Sequence, residues 1–338
     1  MTGAVGLNIR SGGRVTFDFL SFLSFISGQT DISLSHHECY GRGVIRSKAD
    51  RLFPARSLTA LILGRPALPV TFSVDLEDHG GGLDRLAGNA SHLLDWLASC
   101  HVRATIFTVG ELGRTAPAII RRFAEAGHEI ACHGEVHERL ERLSPAQLRT
   151  GLIAARQRLS DLSGQSVEGF RAPEFSLTPL TPWVPNVLAE AGYLWSSSIM
   201  PTRLRGGKAP IGWAGLPARP FLWSSGVLEI PVPLFRIGPF HVPFMGGMWL
   251  RYLPLPLLCL AIKRMGDQPS WAYCHPYDID TQEKFSLLPG RSCVASMAMW
   301  ANRGRMVERM TILAANPAPC FGERVPLWRQ QAVTIQKQ

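Results

Sequence analysis

Residues 70–79 of the chain read VTFSVDLEDH, an apolar run that ends in acidic side chains. The apolar part, 70–74, predicts a buried strand, and the glycines at 80–82 predict that the strand ends there. In parallel α/β folds, polar residues directly after a strand lie at the edge of the sheet where active sites form. This stretch therefore predicts a fold class and the position of a site.

Strand and helix patterns alternate from about residue 67 to residue 197. The predicted helices have apolar residues at helical spacing, and the predicted strands are short apolar runs bounded by turn residues. The helices are expected over 83–98, 117–126, 144–162 and 183–191, and the strands over 70–74, 104–109, 128–132, 167–171 and 192–197. This alternation predicts an α/β protein with a parallel sheet or barrel and helices outside.

The C-terminal part is less regular. Proline, glycine and aromatic residues are frequent over 201–248, which predicts long loops with short strands. Helices are expected at 255–265 and 294–314, and a short buried strand is expected at 271–274.

Residues 1–65 have no clean periodicity, so no fold is assigned to them. We therefore expect an N-terminal extension over 1–65 and a single domain over 66–338. The segment around 201–250 is interpreted as an insertion in that domain.

The composition indicates a globular protein. Of the 338 residues, 46% are hydrophobic and 18% are charged, which supports a sizeable core and excludes global disorder. The formal net charge is +9, but the basic residues are scattered and lack the aromatic clusters of RNA-binding modules, so no nucleic-acid partner is expected.

The sequence also bears on membranes and compartment. No apolar stretch reaches the ~18 residues of a membrane span, and the stretch 17–26 is a poor signal peptide. The seven cysteines form no C-x-x-C pair, and their odd number argues against a disulfide framework. We expect a cytoplasmic protein, with peripheral association with the inner membrane as an alternative.

Two histidines four residues apart, His133 and His137, follow the predicted strand 128–132. In a helical turn, side chains at i and i+4 lie on one face, so two such imidazoles can bind one divalent metal. Two histidines and one carboxylate leave an open coordination position, which suits hydrolysis. An isolated pair at this spacing is usually a helix-surface feature, but the acidic run upstream favours a metal.

Four polar residues each come directly after a predicted strand: Asp75, His133, Arg171 and His275. Because the carboxyl ends of parallel strands meet at one edge, we expect these side chains to gather there. Metal-assisted hydrolysis of an amide or ester needs a metal, a base, an acid and a group that orients the base. The chain offers a candidate for each.

Five segments in order resemble the motifs of the NodB-type polysaccharide deacetylases, carbohydrate esterase family 4. They are most similar to the branch found in exopolysaccharide gene clusters associated with exosortase systems. The segments are 74–78 (VDLED, against V-D-V-E-D), 133–138 (H-G-x-x-H-E), 169–173 (G-[FY]-R-A-P), 246–251 (GGMWLR, a glycine-rich segment) and 275–280 (HPYDID, against H-P-W-E-I-D). The resemblance covers about residue 67 to the C-terminus and implies an irregular (β/α) barrel of about seven parallel strands.

The resemblance implies three catalytic residues. Asp75 is the general base, and His275 is the general acid that protonates the leaving amine, since histidine titrates near neutrality. Arg171 orients the base carboxylate and keeps it charged.

The resemblance also implies a metal site. His133 and His137 are two of its ligands, and the third is Glu77 or Asp78. Strand parity places Asp75 and Glu77 on one face, which favours Glu77, although the strand can end before that rule applies. The implied cofactor is a divalent metal, with Zn²⁺ as the first choice.

The implied reaction removes N-acetyl groups from N-acetylhexosamine units of a polysaccharide or its lipid-linked precursor. Pro173 is expected to shape the substrate groove. Phe175, Trp195 and Trp249 are candidates to line it, because sugar faces stack on aromatic rings, although each is also a candidate core residue.

One segment departs from the family. The usual Y-D-S-S reads WSSS at 195–198, so Ser196 stands where an aspartate normally pairs with the acid histidine. Asp278 is a candidate to replace that aspartate. Two other functions stay open: a catalytically impaired glycan-binding or assembly member of the fold, and a metal-independent amidohydrolase acting on a small ring.

Overall fold

A computed structural model describes residues 8–10, 14–16, 68–78, 80–202, 205–206, 209–210, 212–237, 240–266, 268–288 and 293–335. Two short strands, β1 (Asn8–Arg10) and β2 (Arg14–Thr16), pair antiparallel near the N-terminus. The rest of the expected extension over 1–65, including the signal-like stretch 17–26, lies outside the described residues.

Helices and strands alternate through the middle of the chain, as the sequence predicts. In chain order the elements are β3 (Thr71–Leu76), α1 (Leu83–Ser99), β4 (Ala104–Thr108), α2 (Leu112–Thr115), α3 (Pro117–Glu125), β5 (Glu129–Cys132), α4 (Pro145–Ser163), β6 (Gly169–Phe170), α5 (Val184–Glu190) and β7 (Trp195–Ser196). The short helix α2 is absent from the sequence prediction.

The C-terminal part combines short strands with helices. The elements are β8 (Arg205–Gly206), β9 (Ala209–Pro210), β10 (Phe221–Leu222), β11 (Leu228–Glu229), β12 (Leu234–Ile237), β13 (Phe240–Pro243), α6 (Gly247–Tyr252), α7 (Leu255–Lys263), β14 (Trp271–Cys274), α8 (Cys293–Trp300), α9 (Met306–Leu313), α10 (Phe321–Gln331) and β15 (Val333–Thr334). The single helix predicted over 294–314 is therefore two, because Asn302 adopts a left-handed conformation with φ 61° between them.

The helices follow local sequence rules. The buried residues of α1 recur at helical spacing as Leu86, Ala90, Leu93 and Leu97, so one face packs on the sheet. Helix α4 begins at a capping box, in which Ser144 accepts from the main chain of the helix and a glutamine side chain three residues later accepts in return.

A nine-stranded sheet has the order β14-β3-β4-β5-β6-β7-β11-β10-β15. The first seven strands are mutually parallel, and only the contact of β10 with β11 is antiparallel. The expected α/β class with about seven parallel strands is confirmed.

The first and last of the seven parallel strands, β14 and β11, are joined by side-chain contacts. Trp271 on β14 donates its indole N–H to the carbonyl of Pro231, two residues beyond β11, at 2.9 Å. Trp271 also shares a buried apolar cluster with Phe107, Trp195 and Leu228 of other strands. The sheet therefore curves around an interior, and side chains rather than strand pairing close the barrel.

Helix α10 fills one end of this interior. Phe321 at its first position packs against Phe107, Trp195 and Trp271 with ring centroids 5.5–5.7 Å apart. The amide of Gly322 donates to the Glu129 carboxylate at the start of β5. Because Glu129 begins its strand, α10 lies at the amino ends of the strands and leaves the carboxyl ends for the site.

Within the part of the chain that the structure describes, each helix is too short or too polar to cross a lipid bilayer.

Candidate active site

Strand parity delivers the polar residues to the barrel interior. Successive side chains of a strand point to opposite faces, so a residue two positions beyond an inward residue also points inward. Asp75 follows inward Ser73, His133 follows Ala131, Arg171 follows Gly169 and His275 follows Tyr273. The four residues expected to gather at the carboxyl ends of the strands are therefore brought together.

Asp75 and Arg171 form a buried ion pair. Arg171 Nη1 lies 2.5 Å from Asp75 Oδ1, and Arg171 and Asp75 are 0% and 2% exposed. The guanidinium also donates to Ser73 Oγ at 2.9 Å and to the carbonyl of Ser197 at 3.2 Å. These bonds fix one oxygen of Asp75 and leave Oδ2 facing the site.

Aromatic rings surround the Arg171 guanidinium. Its Cζ lies 3.8 Å from the centroid of the Phe107 ring and 4.5 Å from that of Trp271. A cation over aromatic faces is attracted by their quadrupoles, which offsets part of the cost of burying the charge.

Glu77, His133 and His137 form a group that can hold a cation. One ligand atom from each lies within 4.8 Å of the others. Among the described residues, this is the group of histidine, cysteine or acidic side chains that lie close enough together to bind a metal ion. His133 is buried, but the His137 side chain is 32% exposed, so the group has an open side. Two imidazoles and one carboxylate are a ligand set of catalytic zinc.

Two further observations fit a cation at this point. Glu77 Oε2 is buried without a hydrogen bond of good geometry, yet it lies 3.5 Å from His133 Nε2 and in close contact with His137 Nε2. His133 Nδ1 lies 2.9 Å from the carbonyl of Arg171, which only accepts, so Nδ1 carries the proton and Nε2 has the free lone pair.

The charges of the group are coupled. Burial alone would raise the pKa of Glu77, but its close contacts with the imidazoles of His133 and His137 hold it well below its usual value. For His137, burial opposes protonation, and the Glu77 carboxylate outweighs it and raises the pKa. Glu77 is thus ionised and ready to act as a ligand.

The histidine pair lies on a loop, which corrects the expectation of a helical turn. The chain bends at 133–139, and Gly134 has φ 86°. A Cβ there would lie 2.9 Å from the carbonyl oxygen of Val136, so this bend requires glycine. The loop still places the two imidazole centroids 5.3 Å apart.

His275 faces the two carboxylates from the other side. Its Nε2 lies 3.9 Å from Asp75 Oδ2 and 3.9 Å from Glu77 Oε1. Its Nδ1 lies 2.8 Å from Asp278 Oδ2, so the carboxylate partner of His275 is Asp278. Burial lowers the pKa of His275, but Asp278, Glu77 and Asp75 together raise it to about 9.

Asp78 is not part of the metal group. It is exposed, and its Oδ1 accepts from the backbone amides of Gly80, Gly81 and Gly82 at 3.1–3.2 Å. It organises the glycine turn after β3, so of the two carboxylates left open by the sequence the structure brings Glu77 to the imidazoles.

The residues expected to contact substrate divide into two kinds. Trp195 is 1% exposed and stacks on Phe321 in the barrel core, and Phe175 is 6% exposed and packs on Tyr273, so neither offers a surface to a sugar. Their apolar area is more stable inside the barrel than in a wet groove. Pro173 lies against the loop at Gly134, and Trp249 on α6 is partly exposed, so both remain candidates.

Two residues acquire a place in the site that the sequence did not assign. Arg251, noted only as the end of a glycine-rich segment, is fully buried 3.4 Å from Asp278 Oδ1. Ser197 supports Arg171, whereas Ser196 donates to Ser198 at 2.8 Å. The contact of His275 with Asp278 could be predicted from the sequence, because the two residues are only three positions apart. The contact of Arg251 with Asp278 could not, because no local pattern links the two residues.

Two family descriptions match the chain in succession. Residues 78–194 match "Polysaccharide deacetylase", and residues 197–325 match "Domain of unknown function (DUF3473)".

Curated relatives share part of the chain. A chitooligosaccharide deacetylase from Bradyrhizobium sp. (strain ANU 289) is 31% identical over 97 residues, which cover 29% of this chain and 42% of that protein. A peptidoglycan-N-acetylglucosamine deacetylase from Bacillus cereus is 32% identical over 81 residues, or 24% of this chain and 30% of that protein. The chain spans less than half the length of these curated relatives.

A solved structure from Mycobacterium smegmatis, assigned as a polysaccharide deacetylase, superposes with a TM-score of 0.51 at 21% identity. The match covers 80% of this chain and 93% of that one. At this identity the likeness supports the fold alone.

Proposed function

We propose that the protein is a metal-dependent hydrolase, since residues 78–194 match the family described as polysaccharide deacetylase. It removes N-acetyl groups from N-acetylhexosamine units of a polysaccharide or its lipid-linked precursor. The observation that carries the proposal is the convergence of Glu77, His133 and His137 beside the Asp75–Arg171 pair and His275.

Glu77, His133 and His137 would hold a divalent cation, most simply Zn²⁺, whose chemistry is to polarise a carbonyl and lower the pKa of water. The fit rests on the buried Glu77 oxygen without a well-formed hydrogen bond and on the free Nε2 of His133.

The chain's own residues divide the proton transfers. Asp75 Oδ2 accepts a proton from the attacking water, while Arg171 holds Oδ1 and thereby fixes the carboxylate plane. His275 Nε2 donates a proton to the nitrogen of the sugar as the bond from that nitrogen to the acetyl carbon breaks. Acetate and a free amine are the products.

The substrate class is proposed from the relatives. Those named above act, by their names, on chitooligosaccharide and on N-acetylglucosamine of peptidoglycan. We infer an N-acetylhexosamine for this chain too, and we propose an exopolysaccharide from the motif resemblance. The site's open side at His137 suits a polymer that enters from solvent.

The alternative of a catalytically impaired member rested on Ser196. Asp278 supplies a carboxylate to His275 at 2.8 Å, which supports turnover instead. The His–His–Glu group likewise favours a metal enzyme over a metal-independent amidohydrolase.

We also propose that 66–338 is one domain, with 1–65 as an extension and 201–250 as an insertion. Support comes from the sheet, in which β14 pairs with β3 although almost 200 residues separate them. A cytoplasmic location, with peripheral membrane association as the variant, stays our proposal from the sequence.

The test combines metal analysis with acetate release. Purified protein is expected to bind about one Zn²⁺ per chain and to release acetate from chitin oligomers in a chelator-sensitive way. The His133→Ala variant is expected to lose both, whereas His92→Ala, on the exposed side of α1, keeps both. Metal binding without acetate release from any N-acetylated glycan would contradict the proposed reaction.

A further inference from the structure

The acid side of the site contains a connection that the proposed reaction does not explain. Asp278 Oδ2 accepts from both the main-chain N–H and the Nδ1–H of His275, at 2.9 and 2.8 Å. One carboxylate oxygen therefore fixes the imidazole ring relative to its own backbone. Because a carboxylate only accepts, it also fixes the tautomer with the proton on Nδ1.

The other oxygen of Asp278 faces Arg251. Asp278 Oδ1 is buried without a hydrogen bond, and the nearest cation is Arg251 Nη2 at 3.4 Å. Both residues are fully buried. Burying a carboxylate costs free energy unless an opposite charge pairs with it. Arg251 therefore stabilises Asp278 as an anion at this position.

Arg251 is itself held in place. Its Nη1 donates to the carbonyl of Ala301 at 3.3 Å, and its Nη2 donates to that of Met299 at 3.0 Å. These carbonyls lie at and just beyond the end of α8, so the helical C-terminal part fixes the guanidinium. Burial alone would raise the pKa of Asp278, but Arg251 first and His275 next lower it to about 2.

We propose that Arg251 is a positioning residue for the acid of the site. It holds Asp278, and Asp278 holds His275 with Nε2 toward Asp75 and Glu77. The inference rests on the proposed deacetylase function and assigns a role to part of the 197–325 match, to which no function is attached. The arrangement replaces the aspartate that the sequence lacks at Ser196, whose hydroxyl is turned to Ser198.

The leaving group decides how this role is measured. An amine is a poor leaving group without a proton, so deacetylation of an amide depends on the acid. A 4-nitrophenolate leaves without protonation, so hydrolysis of 4-nitrophenyl acetate depends on the base and the cation but not on His275. A purely structural defect would lower both rates together.

The variants are Arg251→Met, Arg251→Lys and the matched control Arg309→Met. Arg309 is also a buried arginine that donates to a carbonyl, that of Leu253 at 3.0 Å, whereas the arginine paired with Asp278 is Arg251. For Arg251→Met we expect kcat on chitin oligomers to fall about 100-fold with KM unchanged, and 4-nitrophenyl acetate turnover to fall less than about 3-fold. Arg251→Lys should recover part of the loss, and the control should match the unmodified chain.

An equal loss on the amide and the ester, or the same loss in Arg309→Met, would overturn the proposal. A second measurement decides it without turnover. The imidazole Nδ1–H of His275 should give a downfield proton resonance, assigned by its absence in His275→Gln. That resonance should be lost in Arg251→Met and weakened in Arg251→Lys but kept in Arg309→Met; a resonance unchanged in both Arg251 variants would refute the role of Arg251.

Acetate release and the His275 proton resonance distinguish a failure of the proposed function from a failure of the proposed role of Arg251. If the unmodified chain releases no acetate from any N-acetylated glycan, the proposed function fails. The resonance still shows whether Arg251 fixes His275 through Asp278.

Discussion

Two buried arginine–aspartate pairs flank the candidate metal ligands, and they differ in what they present to the site. Arg171 contacts Asp75 at 2.5 Å, and the carboxylate itself faces the site. Arg251 lies 3.4 Å from Asp278, and this carboxylate contacts His275, which faces the site. On one side the ion pair holds the proposed base, Asp75, and on the other it holds the carboxylate behind the proposed acid, His275, because an imidazole lies between carboxylate and site only in the second pair.

The two sides also differ in how the chain builds them. The partners of Arg171 come from β3 and from the segment after β7, so strand register fixes them. Arg251 is anchored by carbonyls at the end of α8, so helix packing fixes it. The base side belongs to the sheet, and the acid side depends on the C-terminal helices.

The largest effect is expected when the base is removed. Asp75→Asn keeps the shape but cannot accept the proton of water, so chitin-oligomer and 4-nitrophenyl acetate hydrolysis should both fall by about 10³–10⁴-fold. Steady-state rates with bound zinc measured in parallel check this. If Asp75→Asn kept ester hydrolysis, Asp75 would act on the leaving group like the acid and not as the base, and the proposed division of roles between the two sides would be wrong.

The next effect concerns stability. Arg171→Met leaves the Asp75 carboxylate buried without its cation, and we expect a loss of about 3–5 kcal/mol in the free energy of unfolding. Urea denaturation of the metal-free protein measures it. Arg251→Met should cost less, because the contact of Arg251 with Asp278 is longer, at 3.4 Å; an equal or larger cost would reverse the ranking of the two sides.

A third variant tests whether the acid side is complete. Ser196→Asp restores the family's usual residue, but Ser196 lies in register with Glu229, a fully buried carboxylate whose pKa burial already raises. We expect no gain in deacetylation and a loss of about 1–3 kcal/mol from the second buried acid. A several-fold rate gain would show that Asp278 does not replace the missing aspartate; Ser224→Asp, in an exposed turn, is the control for added charge.

The last prediction concerns a histidine outside both sides of the site, and it provides a reference for pH experiments on them. His128 accepts from the amide of Ala104 at 3.2 Å, and burial, with Arg103, lowers its pKa to about 4. The unfolded chain takes up a proton near pH 6.5 while the folded chain does not, so stability should fall as pH drops from 6.5 to 4, by about 1 kcal/mol per pH unit. His128→Asn should flatten this part of the curve, and exposed His92→Asn should not.

Local rules made much of the barrel predictable. Strands β3, β4, β5 and β14 and helices α1 and α4 lie within a few residues of their predicted bounds. Apolar periodicity and the Ser144 cap depend only on near neighbours, so a single sequence is sufficient to find them. The weaker elements, such as two-residue β6, are held by their sheet neighbours and have little pattern of their own.

The sequence predicted that polar side chains gather at the strand ends, and the structure brings Asp75, His133, Arg171 and His275 together there. It did not predict all of their contacts. It predicted a helical turn at the histidine pair, whereas the conformation of Gly134 makes a loop. It offered Trp195 and Phe175 as sugar contacts, whereas the curvature of the sheet turns both into the core. These outcomes depend on where distant strands meet, which spacing does not encode.

By itself the sequence determined the alternation of strands and helices and the polar residues that end them, because periodicity and strand parity are local properties of the backbone. Only the tertiary structure decided that Glu77 rather than Asp78 turns to the imidazoles, that Asp78 binds the glycine turn, and that Arg251 reaches Asp278. In each case a charged side chain is either buried beside a partner or left in water. Which of the two is more stable depends on side chains that are far apart in the chain and come together only in the folded barrel.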